Sequence, residues 1–193
     1  MVVGREDVEL EGKRVAVPGR YTTANLVLKL AVATADINTV EMRFDEVVEA
    51  LKRGEVDAGL VIHEAQLTYK DQELVKILDL GEWWHEKTRL PLGINCIKRT
   101  IPEGQQLEFL NALRESVEYA LKNVDEALGY AMRYSRGAKE EQLRRFVLMY
   151  VNGDTCEMSG RVIKALDRLY GQAERAGLIT KPPLDILFPS TLK

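Results

Sequence analysis

The sequence predicts an α/β protein: a lobe built on a parallel sheet over residues 1–99, then a mainly helical part over 100–193. Three observations predict it. Short apolar runs alternate with stretches of helical spacing in the order strand, helix, strand, helix, strand, the pattern of a parallel sheet with right-handed crossovers. From Gln106 onward the period changes, and nearly every stretch reads as helix. Between the two halves, Leu90-Pro91-Leu92-Gly93 opens an extended apolar stretch punctuated by Pro and Gly, which puts the boundary near Arg99.

Arg14–Val17 is the first strand, closed by Pro18-Gly19. A helix follows from Ala24 to Ala33, with Leu26, Val27, Leu30 and Ala31 at helical spacing and Thr22 or Thr23 as its N-cap. Thr39–Phe44 reads as the second strand, and Asp45 is expected to cap a helix from Glu46 to Arg53 that stops at Gly54. Ala58–Ile62 is a buried strand, Val75–Leu80 a further one, and Trp83-Trp84 a packing element. In the helical part, Leu107, Leu110, Leu113 and Val117 make one apolar stripe, and Ala127, Tyr130, Ala131 and Tyr134 the next. Leu143–Val151 and Gly160–Ala176 complete the set, with Gly177 as a stop, and the tail after Pro182-Pro183 is expected to dock through Leu184, Ile186, Leu187 and Phe188.

Composition narrows the function. A net charge of −3 without a dominant basic stretch argues against nucleic acid and anionic membranes as partners. No apolar run is long enough to cross a bilayer, and the first residues have no signal-peptide pattern, so the expected location is the cytoplasm. Cys96 and Cys156 match no metal-binding spacing and are expected as two unlinked, buried thiols. No His/Cys metal cluster and no Ser-His-Asp or Cys-His arrangement is legible.

The chemistry is expected beyond the carboxyl ends of the strands, where ligands of open parallel sheets bind. Pro18-Gly19-Arg20-Tyr21-Thr22-Thr23 supplies backbone N–H groups and two hydroxyls at a helix N-terminus, a seat for a carboxylate or phosphate. It is not a phosphate-binding Walker loop, lacking the second Gly and the Lys-Ser/Thr pair. The other loop begins at His63-Glu64, where the apolar run Ala58–Ile62 stops. An imidazole, with an ordinary pKa of about 6.5, suits proton abstraction near neutrality, and Glu64 either orients it or faces water. If the first strand lies beside the third, the two loops face one crevice. Each feature also has a plainer reading: His63 as a structural strand-end residue, Thr22-Thr23 as a simple cap. His85 is expected at the surface.

Pro18-Gly19-Arg20-Tyr21-Thr22-Thr23-Ala24, Met42-Arg43-Phe44-Asp45, Gly54 to Gly59, Ile62-His63-Glu64 with Thr68-Tyr69, Asp79 to Trp84, Leu90 to Gly93 and Tyr150-Val151-Asn152 occur in this order. Together they resemble the 1,4-dihydroxy-6-naphthoate synthase family of the futalosine route of menaquinone biosynthesis. The resemblance implies the two-lobed fold of type II periplasmic binding proteins, here with an α/β lobe and the helical part of a second, incomplete lobe. It implies a cofactor-free lyase that converts cyclic dehypoxanthine futalosine to 1,4-dihydroxy-6-naphthoate. His63 takes the place of the family's proposed base, and Thr22 and Thr23 that of the residues holding the ligand's carboxylate or hydroxyl groups; Gly19 and Glu64 are further expected substrate-binding residues. The sister family that dehydrates chorismate lacks the Ile-His-Glu stretch. Family members carry a further amino-terminal half-lobe that nothing here matches, and Ala65-Gln66-Leu67 stands where Gly-Arg-Phe is usual. The expected partners are therefore a carboxylate-bearing small molecule and either a second copy of the chain or a separate amino-terminal segment. The alternatives are a non-catalytic carboxylate-binding module of the same fold and an incomplete subunit, inactive alone.

Overall fold

The computed structural model describes residues 1–32, 36–63, 65–84, 90–135 and 139–188. The chain forms two compact units, Met1–Leu92 with Arg168–Lys181, and Gly93–Asp167 with Pro182–Lys193. A stretch near the carboxyl end thus returns to the first unit.

The first unit holds strands β1 (Val2–Gly4), β2 (Arg14–Val17), β3 (Asn38–Glu41), β4 (Ala58–Leu60) and β5 (Val75–Leu78) in the spatial order β3-β2-β4-β1-β5. β2 pairs in parallel with β3 and β4. The expected parallel lobe needs one correction: β1 lies between β4 and β5 and is antiparallel to both, so the sheet is mixed. Three residues, Val2-Val3-Gly4, are too short to show alternation, and only their partners define them as a strand.

Helix α1 (Thr23–Ala31) carries the chain outward from β2 to β3, and α2 (Val47–Lys52) carries it back past β2 to β4. Right-handed crossovers in opposite directions place the two helices on opposite faces. The cores agree. Val27 and Leu28 of α1 pack with Val2, Val15, Val17, Ala58 and Leu60, whereas Val47, Ala50 and Leu51 of α2 pack with Val3, Ala16 and Val61. Neighbouring residues of one strand enter opposite cores, as a period of two requires. Gly59 lies beneath α2, where an added Cβ would stand 2.6 Å from Val47 Cγ1 and 2.9 Å from Leu51 Cδ1.

Beyond β4, the chain makes α3 (Ala65–Thr68) and α4 (Leu80–Trp83), the latter capped by Asp79, whose carboxylate accepts from Gly81 N at 2.8 Å and Glu82 N at 3.2 Å. Trp84 is buried beside Leu80 in the α1-side core, the packing role expected of the pair. Asp45 does not cap α2: Arg43 takes its carboxylate in a two-pronged pair at 3.0 and 2.8 Å, and the N-cap position falls to Glu46 without a side-chain bond.

Asp57 ties β2 to β4. Its Oδ2 accepts from Arg14 N at 2.9 Å, and its own N–H donates to Arg14 O at 2.9 Å. The Arg14 N–H bond holds the carboxyl below its ordinary range, against desolvation that would raise it, with the Arg14 side chain helping. A depressed carboxylate contributes stability that is present above its unfolded pKa and lost as pH falls through the folded value. Asp57→Asn should therefore cost about 1 kcal/mol at neutrality, the scale of one hydrogen bond to a charged acceptor at a partly exposed site. In urea titrations the difference from wild type should shrink below about pH 4, where the unfolded carboxyl protonates; a constant difference from pH 7 to pH 2 would contradict this origin.

The second unit contains α5 (Glu103–Lys122), α6 (Val124–Met132), α7 (Glu140–Tyr150), α8 (Gly153–Cys156) and the start of α9 (Gly160–Arg175), whose later part belongs to the first unit. Leu107 of the expected α5 stripe is buried, and Leu110, Leu113 and Val117 are half-buried. The α6 stripe needs correction: Leu128 is the buried residue, while Tyr130 and Tyr134 are 59% and 70% exposed and meet ring to ring with centroids 5.4 Å apart. Leu169 of α9 joins the α1-side core of the sheet. Gly177 (φ 69°) ends the run as expected, with Gly177 N bonded to Glu174 O and Leu178 N to Ala173 O, both at 2.9 Å. The tail's Leu184, Ile186, Leu187 and Phe188 are half-buried, and Arg99 pairs with Asp185. Cys96 and Cys156 are free thiols, but the expected burial needs correction: Cys96 is exposed and Cys156 half-buried.

Candidate active site

The site begins with sheet order. Because β2 and β4 are parallel neighbours, their carboxyl ends open at one edge of the sheet. The register sets Ala16 opposite Gly59. Beyond that edge the chain runs from β2 to Gly19 and from β4 to His63. The condition for a shared crevice is met.

The loop after β2 is built from its own hydrogen bonds. Gly19 has φ 140°, a conformation side-chain-bearing residues rarely adopt. Thr22 N and Thr22 Oγ1 both donate to Gly19 O, at 3.2 and 2.9 Å. Thr22 Oγ1 also accepts from Asn25 N at 3.2 Å, which makes Thr22 the N-cap of α1. Its proton and one lone pair are thus committed to the turn. Thr23 Oγ1 donates to Leu92 O at 2.8 Å. The pair expected to clamp a ligand through hydroxyls instead shapes the loop in this structure. What remains for an anion is backbone: the N–H groups of Thr23 and Ala24 lie in the first turn, where no intrahelical carbonyl reaches them, at the positive end of the helix dipole.

Thr22→Ala is expected to lower stability by about 1 kcal/mol, the usual cost of losing an N-cap oxygen. Urea unfolding checks this, and an unchanged midpoint would contradict the cap.

His63 stands at the end of a fully buried strand and is itself exposed. Its backbone has φ 57°, left-handed for a non-glycine residue. Conformations of this kind cost energy and concentrate at sites where the rest of the fold enforces them. The imidazole packs on Phe44, with ring centroids 4.6 Å apart and planes tilted by 55°. Phe44 follows β3 and His63 follows β4, on either side of β2, so the two rings meet across the end of the middle strand. Glu41, the last residue of β3, also turns toward the loop: its Oε1 lies 3.9 Å from the position a Gly19 Cβ would occupy.

Of the expected site residues, Gly19, Thr22 and His63 therefore come from loops at one sheet edge, and Thr23 from the first residue of α1 there. Glu64 lies outside the described residues, as does His85. The structure adds Asn25, Glu41 and Phe44. Phe44 stood within a noted motif but had no assigned role; its partner ring was needed to see one. Asn25 carried a local signal, an amide side chain among Ala24, Leu26, Val27 and Leu28. No group of three or more metal-ligating side chains occurs among the described residues. No helix among them is long and apolar enough to cross a membrane.

A family model described as menaquinone biosynthesis matches residues 1–175. The chain belongs to this family. Within the menaquinone biosynthesis family it is 39% identical over 186 residues to a 1,4-dihydroxy-6-naphthoate synthase of Thermus thermophilus, a match covering 95% of this chain and 68% of the relative. A second synthase of that name, from Streptomyces coelicolor, is 32% identical over 186 residues, covering 93% of this chain and 66% of the relative. The crystal structure of a protein from Archaeoglobus fulgidus superposes with a TM-score of 0.88 at 53% identity, over 92% of this chain and 67% of that one. This chain thus spans about two thirds of the length of each. The resemblance read from the motifs to the synthase family is borne out by these relatives.

Proposed function

We propose that the chain carries the base and the carboxylate seat of a lyase that converts cyclic dehypoxanthine futalosine to 1,4-dihydroxy-6-naphthoate in the futalosine route. The observation that supports it most is the placement of His63 and the Gly19–Thr23 loop at the ends of neighbouring parallel strands. The synthase names of the relatives support the product, and the substrate is the one that the motif resemblance implies.

The substrate carboxylate rests on the backbone N–H groups at the start of α1, shaped by Gly19, Thr22 and Thr23, in the helix dipole. His63 removes a proton from the bound substrate, and the electron pair left behind drives cleavage of a carbon–carbon bond. Phe44 holds the imidazole from one side, and Glu64 orients it or screens it. No step calls for a metal or organic cofactor. The first unit serves as one lobe of a two-lobed architecture of the periplasmic-binding-protein kind, acting in the cytoplasm.

A second reading has its own observation. In the second unit Phe109, Tyr130 and Tyr134 are more than half exposed, and a groove lined by Leu121, Val124, Leu128 and Val147 contains no titratable group. On that reading the chain works together with further polypeptide, either a second copy or the third of the relatives' length that it does not match. Size-exclusion chromatography addresses it, and a clean monomer at all concentrations would count against self-association.

The test of function is turnover of cyclic dehypoxanthine futalosine by the purified chain, alone and with the unmatched third of the Archaeoglobus protein supplied as a separate polypeptide. Naphthoate formation in either mixture supports the lyase. Silence in both, with retained carboxylate binding, would replace it with the binding-module reading.

A further inference from the structure

Asn25 is the one polar residue among the buried residues described, at 2% exposure. It sits in the first turn of α1, and its Nδ2 donates to Arg20 O at 2.9 Å. Its Oδ1 is buried without a hydrogen-bond partner. Burying an amide with half of its capacity unused costs stability, and such costs concentrate where function requires them. An apolar residue of similar size would fill the same space without the cost.

We propose that Asn25 is a positioning residue for the carboxylate seat, turning the Gly19–Tyr21 backbone into an anion-binding nest; this rests on the reading of the site given above. The argument is geometric. A trans peptide points its C=O and the following N–H in opposite directions. Thr22 Oγ1 holds the Gly19 carbonyl against the helix, which turns the Arg20 N–H away from the helix. Asn25 Nδ2 holds the Arg20 carbonyl in the same way, which turns the Tyr21 N–H outward. Two successive outward N–H groups make a concavity that attracts anions, and here they adjoin the positive end of α1. Without the Asn25 amide, the Arg20–Tyr21 peptide is free to rotate and present its carbonyl oxygen to the ligand's carboxylate.

The experiment compares 2-naphthoate with its neutral counterpart, naphthalene-2-methanol, as ligands of the full chain. Wild type should bind the carboxylate at least about tenfold more tightly, the factor expected of a few charge-assisted hydrogen bonds at a partly solvated site. In Asn25→Leu that preference should fall below about threefold, with affinity for the alcohol unchanged and the urea midpoint equal or higher, because the orphaned oxygen is gone. Asn25→Ala is the second variant should the leucine disturb packing. Preference for the carboxylate retained in a folded variant would overturn the proposal. Equal loss of affinity for both ligands would also overturn it, since a merely structural role does that. If wild type itself does not prefer the carboxylate, the carboxylate-seat reading fails first, and the role of Asn25 with it.

Discussion

Replacing His63 by Asn is expected to reduce turnover of cyclic dehypoxanthine futalosine by about 10²- to 10⁴-fold while changing substrate affinity by less than about threefold, the loss typical of a general base that acts in the transition state. Asn is the better replacement because the position has φ 57°. Asn tolerates the left-handed region, whereas Ala would add backbone strain to the chemical loss. The adjoining aromatic ring provides the control. Phe44→Leu removes the aromatic contact at 4.6 Å but leaves the base, so it should cost far less in kcat than His63→Asn. Single-turnover kinetics separates the chemical step from binding. Equal losses in the two variants would mean that the pair is a packing unit and that the base lies elsewhere. A chain whose His63→Asn variant lost affinity alone would be a binder.

Gly59→Val should be the most damaging single change to the fold. The β4 backbone passes so close beneath α2 that even one added carbon meets Val47 Cγ1 at 2.6 Å and Leu51 Cδ1 at 2.9 Å. Overpacking a core by a methyl or two commonly costs about 1–3 kcal/mol. Valine adds three carbons, so the cost should reach or exceed the upper end, a large share of the roughly 5–15 kcal/mol by which domains are stable. The same displacement would shift the strand that carries His63, so activity should fall in the fraction that remains folded. Leu51→Ala opens space at the contact and should recover part of the loss in Gly59→Ala, giving a coupling measurable by urea denaturation. If Gly59→Ala unfolded at the wild-type midpoint, the close approach of α2 and β4 would be disproved.

Local chemistry made much of the molecule legible from sequence. Arg14–Val17 and Ala58–Leu60 are strands because short apolar runs ended by turn residues leave the chain few other ways to bury them. Thr22 caps α1 and Gly177 ends α9 through hydrogen bonds within a few residues. Where two local partners competed, sequence alone misjudged: Asp45 had both a cap and Arg43 within reach, and the guanidinium won because a two-pronged ionic bond outweighs one backbone contact. Tyr130 and Tyr134 carry helical spacing but large polar-tipped rings, which spacing alone cannot assign to core or surface.

By itself, then, the sequence determined most of the segments that become strands and helices, and that the Thr22 turn follows the strand Arg14–Val17 and His63 the buried run that begins at Ala58. These follow from periodicity and capping, which act over a few residues. The tertiary structure alone decided that β2 lies beside β4, that β1 enters the sheet antiparallel, that Phe44 reaches His63 across an intervening strand, and that Asn25 is sealed beneath the turn. Those outcomes depend on pairings between residues far apart in the chain. Their energies come from burial and register, and no local pattern encodes either.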